Sequence, residues 1–333
     1  MSRLTSTNPR PGAQIMAIDG VRGEVAVTNH EVAGAIESSD EWIRQRTGIV
    51  TRRRAQAQTG VLDLAEQAAR RALERAQLGP SQIGAVILAS ITHFDSTPAG
   101  APQLATRLGL GPVPAYDISA ACAGYCYAIG QADALVRAGL VEYVLVVGAE
   151  KLSDFIDPTD RTISFLLGDG AGAAVVGPSE RPRIGPTVWG SDGAQAGAIC
   201  QDRSWPEAVR SGVAPTLRQA GPAVFKWASF KLAPVAREAI TVAGLQPDQI
   251  DIFAPHQANL RIIDQLAKAI KLPSTTLVAR DIIETGNTSA ASVPLALEAL
   301  RREHGPLGGR LALQIGFGAG LAYAAQVVEL PAT

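Results

Sequence analysis

The chain has 333 residues, 47% of them hydrophobic and 18% charged, enough to bury one large core or two of ordinary domain size. A formal net charge of −1 provides no global basic field for nucleic acid, and no apolar run approaches the ~20 residues that cross a bilayer. Three cysteines, Cys122, Cys126 and Cys200, make no disulfide framework and fit a reducing, cytoplasmic setting.

Residues 1–12 are polar, carry two prolines and lack the apolar core of a secretory leader, so they read as a mobile tail. Beyond them, helical patterns at Leu62–Ala76, Gly124–Ala138, Leu260–Ile270 and Val293–Glu303 alternate with short apolar runs at Ala85–Ala89, Tyr143–Gly148, Ala171–Val176, Ile250–Ala254 and Leu311–Ile315. The runs are rich in Val, Ile and Leu and bounded by Gly, Pro or polar residues, as buried strands are. Strand and helix in alternation predict an α/β architecture. A Pro- and Arg-rich stretch, Gly177–Pro186, divides the chain into halves, 13–180 and 181–333. A shift of 165 residues lays Ile87 on Ile252, Cys122 on Asn287 and Val147 on Ala312, which suggests internal duplication. The first half carries an excursion, Leu152–Leu167, placed as a lid or binding loop would be.

Cys122 stands at the entrance to the helix of 124–138, on its apolar face. That position fits a nucleophile whose thiolate the helix N-terminus favours, and equally a buried cysteine used as a small hydrophobe. Cys126, one turn on, reads as packing, and no soft ligands accompany the pair to make a metal site. His256 ends a strand in Asp251-Ile-Phe-Ala-Pro-His, where open α/β sheets bind ligands. Asn287 follows a glycine at a helix entry, a position that usually caps a turn. Gly316-Phe-Gly-Ala-Gly320 is either a tight turn or a place where backbone N–H groups approach a ligand. Cys, His and Asn together meet the needs of acyl transfer, although papain-like proteases use the same residue types.

The motifs Ser38-Ser-Asp-Glu-Trp-Ile, Arg46-Thr-Gly-Ile, Ser119-Ala-Ala-Cys-Ala-Gly, Asp157-Pro-Thr-Asp-Arg, Gly168-Asp-Gly-Ala-Gly-Ala, Pro255-His-Gln-Ala-Asn-Leu-Arg-Ile and Gly286-Asn-Thr-Ser-Ala-Ala-Ser make a set no papain-like protease has. By them the chain resembles the β-ketoacyl-acyl-carrier-protein synthase III family over about residues 15–330. The resemblance implies a thiolase-like fold, two pseudo-symmetric βαβαβ halves in five layers. It implies a decarboxylative condensation of an acyl-CoA with malonyl-acyl-carrier protein, initiating fatty acid synthesis. Cys122 would carry the acyl group, with the N–H groups of Cys122 and Ala319 holding the oxyanion. His256 and Asn287 would hold the malonyl thioester oxygen while carbon dioxide leaves. No tightly bound cofactor and no metal are expected; a CoA thioester is the substrate.

Carried over residue by residue, the CoA site is Trp42, Arg46, Arg161 and Asn259, with Trp42 and Arg161 sandwiching the adenine. Thr162 and Ala319 stand where relatives often have Gly, and Pro222 where some have an Asn. An acidic carrier protein would dock on Gln257, Ala258, Asn259, Leu260, Arg261, Lys226 and Lys268. Thr97, at a position that in relatives lines the acyl pocket across a homodimer interface, would admit longer or branched starters. Thr97 and Ile184-Gly-Pro-Thr-Val-Trp-Gly-Ser-Asp-Gly look like actinobacterial members. The same trio also suits a starter ketosynthase or an acyltransferase of a polyketide pathway. A hydroxymethylglutaryl-CoA synthase would need a further catalytic Glu that the motifs do not place, and a non-catalytic partner subunit has no reason to keep all three residues.

Overall fold

The computed structural model describes residues 7–332, in two five-stranded sheets built to one plan. The first joins β1 (Gly12–Arg22), β2 (Ile83–Ala89), β3 (Ala115–Ile118), β4 (Tyr143–Lys151) and β5 (Asp169–Ser179) in the order β1-β5-β4-β2-β3. The second joins β6 (Val188–Gly190), β7 (Ile252–Pro255), β8 (Leu277–Val278), β9 (Leu311–Phe317) and β10 (Tyr323–Glu329) in the order β6-β10-β9-β7-β8. In the first, β3, β2 and β4 run parallel while β5 pairs antiparallel with both β4 and β1. In the second, β8, β7 and β9 run parallel while β10 pairs antiparallel with both β9 and β6. The match of order and direction, strand for strand, is the internal duplication.

Six helices complete five layers: α1 (Val61–Ala76), α2 (Gly100–Leu108), α3 (Gly124–Arg137), α4 (Gly221–Val242), α5 (Leu260–Ile270) and α6 (Ser292–His304). The pleat sends alternate side chains of each strand to opposite faces. Val86 and Leu88 of β2 pack outward with α1 and α2, whereas Ala85 and Ile87 face inward with α3. Leu313, Ile315 and Phe317 of β9 pack outward with α4 and α5. α3 and α6 lie between the sheets in a shared central core, which is why both strand faces read as apolar. Among the described residues no helix is long and apolar enough to cross a membrane.

The predicted elements are present with ends that differ by up to three residues, but several others carried no clear signal. β1 alternates poorly because its pairing with β5 shifts register between Ile15 and Ala17. α4 contains Pro234, which argues against a helix interior, yet the helix continues through it. The predicted mobile tail, 1–12, is only partly covered by the described residues. Residues 1–6 lie outside the described residues, while the Arg10 N–H donates to the Arg137 carbonyl at 2.8 Å and Gly12 already belongs to β1.

The duplication is also offset from its sequence estimate. Ala121 and Ser289 open short 3₁₀ turns before α3 and α6 with matching left-handed φ values of 46° and 48°, so 168 residues separate equivalent positions here. Cys122 therefore corresponds to Ala290, and Asn287 to Ser119. The 165-residue shift aligns the strands approximately but misplaces the loops, whose lengths differ between halves.

Candidate active site

The carboxyl ends of the parallel strands converge where α3 and α6 begin. β3 leads into Cys122, β4 ends near Glu150, β7 delivers His256, and β9 ends at the Gly318–Ala319 turn. Gly148 in β4 makes this convergence possible: a Cβ there would lie 2.4 Å from the Ala290 carbonyl oxygen, so only glycine lets the turn before α6 lie on the strand. Cys122, His256, Asn287, Ser289, Phe317, Gly318 and Ala319 line one cleft of about 740 Å³, otherwise walled mainly by apolar side chains.

Cys122 is only partly covered, yet the apolar walls desolvate its thiol. Burial pushes it up to about 12, with a smaller contribution from the neighbouring Glu150 carboxylate; Ser289 and the Cys122 N–H act in the opposite direction. The helix start alone predicts a lowered value. Desolvation wins because the sulfur meets little water, so Cys122 rests as a thiol.

His256 is buried, and its Nδ1 lies 2.7 Å from the Ser292 Oγ at the start of α6. Phe317 meets the ring edge-on, with centroids 5.1 Å apart. Burial drops the imidazole to about 3, so His256 is neutral at any working pH. If Ser292 donates to Nδ1, the single ring proton resides on Nε2 and makes it a donor.

Asn287 is held at both backbone ends by the end of the Leu152–Leu167 excursion and the glycine after it: its N–H donates to the Leu166 carbonyl at 2.7 Å and its carbonyl accepts from the Gly168 N–H at 2.9 Å. Its Oδ1 accepts from the Ser289 N–H at 2.8 Å, which leaves the amide NH₂ as the group to offer. The buried Arg52 braces this excursion from below by donating to the carbonyls of Phe165 and Val27, each at 3.1 Å.

Glu150, absent from the sequence reading of the site, is fully buried beneath this group. It accepts from the Thr92 Oγ1 at 2.8 Å, the Ile91 N–H at 3.1 Å and the Ser289 Oγ at 3.0 Å. Burial raises its carboxyl to about 7 against these hydrogen bonds. Ser289 and Ser292 were likewise missed, because a serine at a helix entry reads as a cap. The detectable signal was the acid itself, ending a strand that is otherwise apolar from Tyr143 to Ala149.

At the cleft mouth, Trp42 packs against Phe165, and the Arg46 and Arg161 guanidinium carbons lie 4.6 Å and 4.9 Å from its ring centroid. Asp157 and Asp160 accept from the N–H groups and hydroxyls of Thr159 and Thr162, so Thr162 takes part in a side-chain turn here. Asn259 caps α5, its Oδ1 accepting from the Arg261 N–H at 2.9 Å and its Nδ2 donating to the Arg46 carbonyl at 3.0 Å. Ala258 lines the cleft, Leu260 is half-buried, and Arg261, Lys226 and Lys268 are exposed.

Gln257 corrects its reading as a docking residue. It is fully buried; its amide donates to the Pro255 and Ala279 carbonyls at 2.8 and 3.2 Å and accepts from the Ile282 N–H at 3.1 Å. Its side-chain amide is thus committed inside the protein rather than turned to a partner. Thr97 lies in the loop after β2 and does not line this chain's cleft.

Comparison with known proteins agrees with this geometry. Two family models match, 3-oxoacyl-[acyl-carrier-protein] synthase III at residues 116–193 and its C-terminal counterpart at residues 240–330. The chain is 52% identical to the β-ketoacyl-[acyl-carrier-protein] synthase III of Kocuria rhizophila, covering 99% of this chain and all of that one. It is 48% identical to synthase III 1 of Streptomyces coelicolor, over 99% and 100% of the two chains. Among solved structures, the priming β-ketosynthase of the R1128 polyketide biosynthetic pathway superposes with a TM-score of 0.96 at 44% identity, covering 99% of each chain. The 3-oxoacyl-[acyl-carrier-protein] synthase III of Aquifex aeolicus gives 0.88 at 36% identity, covering 96% of this chain and all of that one. The chain therefore belongs to the 3-oxoacyl-[acyl-carrier-protein] synthase III family, and is an acyl-transferring condensing enzyme with a thiolase fold that initiates fatty acid synthesis.

Proposed function

We propose that Cys122 takes the acyl group from a CoA thioester, and that His256 and Asn287 then hold the thioester oxygen of malonyl-acyl-carrier protein as it loses carbon dioxide. The convergence of a thiol and two neutral donors on one apolar cleft is the observation that carries this reading. A neutral donor suits the step: the thioester oxygen gains charge only as the carbon–carbon bond breaks, and fixed N–H groups stabilise that charge without pairing to the malonyl carboxylate. The carbanion attacks the acyl-Cys122 carbonyl, and the thiolate leaves. The reading predicts that acyl-CoA alone releases about one CoA per active site in a rapid burst. A protein that releases CoA only after malonyl-carrier protein is added would contradict the two-stage order.

Gly318 supports placing the oxyanion beside Cys122 and Ala319. A Cβ on residue 318 would lie 2.8 Å from the Cys122 nitrogen and 3.2 Å from its Sγ, inside the space an oxyanion needs. Gly318→Ala should fold and, by crowding the space the oxyanion needs, slow acylation about 10²–10³-fold, the scale of a disabled oxyanion hole. Unchanged CoA release would remove the oxyanion from this turn.

Trp42, Arg46, Arg161 and Asn259 are proposed to bind CoA. Faces enclosing an adenine stand about 7 Å apart, twice a contact distance, so Arg161 would swing outward by about 2 Å from its present 4.9 Å. An acidic carrier protein is proposed to meet Lys226, Arg261 and Lys268, with Ala258, Asn259 and Leu260 at the cleft rim. Thr97 is proposed to reach the acyl pocket of a partner subunit in a cytoplasmic homodimer and to permit longer or branched starters. The chemistry proposed calls for no metal or tightly bound cofactor, since the thiol and two N–H donors meet its needs. A polyketide-priming role has one structural relative in its favour; the fatty acid reading rests on more similar relatives.

A further inference from the structure

Glu150 has no place in the steps above, and three observations set it apart. It is a fully buried carboxyl that pairs with no cation among the described residues. Every hydrogen bond it makes comes from a neutral donor: Ile91 N–H, Thr92 Oγ1, Ser289 Oγ at 3.0 Å and a longer contact to Ser90 Oγ at 3.4 Å, with the Ala290 N–H also acting on it. Ser289 and Cys122 line the same cleft, and the Ser289 hydroxyl bears on the Cys122 sulfur.

The other charged groups near this strand end face elsewhere. The Lys151 ammonium donates to the Ala57 carbonyl and pairs with Asp154; Asp169 accepts from Ser153 and Ala55; His93 turns toward Gln103. From the 90–92 segment Glu150 meets only neutral donors, and from the 289–290 turn likewise. Across the site its charge bears on Cys122.

We infer that Glu150 stores the Cys122 proton between the two halves of the reaction, with Ser289 passing it in each direction. As Sγ attacks the acyl-CoA carbonyl, the thiol proton moves to the Ser289 Oγ while the Ser289 proton moves to Glu150. The S–C bond to the enzyme forms, the bond to CoA breaks, and the CoA thiolate takes a proton from solvent. In the second half the malonyl carboxylate leaves as carbon dioxide and its electron pair becomes the carbanion. The carbanion displaces Cys122 as thiolate, and that thiolate recovers its proton from Glu150 through Ser289. One proton enters from solvent per turnover, matching the negative charge lost with the carboxylate. Glu150 touches no substrate; it is a positioning residue that acts through Ser289.

This inference rests on Cys122 as the nucleophile. Its value lies in the thiol's desolvation: a sulfur held as a thiol by burial needs a nearby acceptor when it attacks, and a carboxyl raised to about 7 can both take and return a proton.

The test is the pH dependence of CoA release from acyl-CoA alone, measured by rapid mixing in wild type, Glu150→Gln and Glu150→Asp. Wild-type acylation should rise with pH through an inflection near 7, as Glu150 becomes an acceptor. Glu150→Gln should lose that inflection and release CoA about 10²-fold more slowly, with Glu150→Asp recovering part of the rate. Its decarboxylation of malonyl-carrier protein alone should stay within about 3-fold of wild type, because that step uses other donors. Should the Gln variant not fold, Ser289→Ala cuts the same path; Ala121 already holds the equivalent conformation at φ 46°. An inflection that survives in either variant, or a parallel fall of acylation and decarboxylation, overturns the inference. Failure of the Cys122 reading is separate: wild-type CoA release would then leave no acyl mass on the Cys122 peptide.

Discussion

Cys122→Ala is expected to abolish condensation, by on the order of 10⁴-fold or more, while leaving decarboxylation of malonyl-carrier protein within about 10-fold of wild type. The two halves of the site come from different elements: Cys122 from the turn before α3, and His256 and Asn287 from the end of β7 and the turn before α6. Removing the thiol takes away the proposed acyl carrier but none of the donors proposed to hold the malonyl thioester. The added space is small, and α3 remains anchored by Cys126 and Ile129 in the central core. Release of labelled carbon dioxide, run beside 3-oxoacyl product formation, checks the result. Condensation surviving at wild-type rate would eliminate Cys122 as the carrier.

His256→Ala is expected to do the reverse. Loss of one donor from a pair should slow malonyl decarboxylation about 10²–10³-fold, some 3–4 kcal/mol of transition-state stabilisation, and leave acylation of Cys122 within about 10-fold. The pH dependence carries a further consequence. An imidazole with an ordinary pKa would gain charge as pH falls through about 6.5 and become a stronger donor. His256 is held neutral down to about 3, so its protonated form is absent across that range. Decarboxylation of malonyl-carrier protein alone should therefore show no inflection near 6.5. A rate that climbs as pH drops from 7.5 to about 5.5 would mean that His256 titrates normally and is not desolvated.

The fold and the trio were legible in sequence for a physical reason. Strands buried on both faces carry long apolar runs, and β2, β4, β5, β7 and β9 all do so. β1 was lost to a register shift and α4 to an interior Pro234, local irregularities that tertiary packing overrides. Cys122, His256 and Asn287 stand at element boundaries, but position alone left Cys122 and Asn287 with a structural alternative, and the family motifs singled the three out. Glu150 was not, because its partners Thr92 and Ser289 lie 58 and 139 residues away and only the fold joins them. Gln257 misled because it is enclosed by cleft residues: adjacent Ala258 faces the cleft while Gln257 turns inward to tie β7 to the start of the 282–285 helix. The raised Cys122 thiol was hidden for a similar reason, since a helix start is local and desolvation is not.

The central claim is that the acyl group passes through Cys122. It is tested most directly by incubating the protein with acyl-CoA alone, measuring intact mass, and mapping the adduct by digestion. The account predicts one acyl group per chain, on the peptide containing Cys122, removed when malonyl-carrier protein is added. CoA release with no adduct, or an acyl group mapped to Cys200 or any other residue, would contradict it.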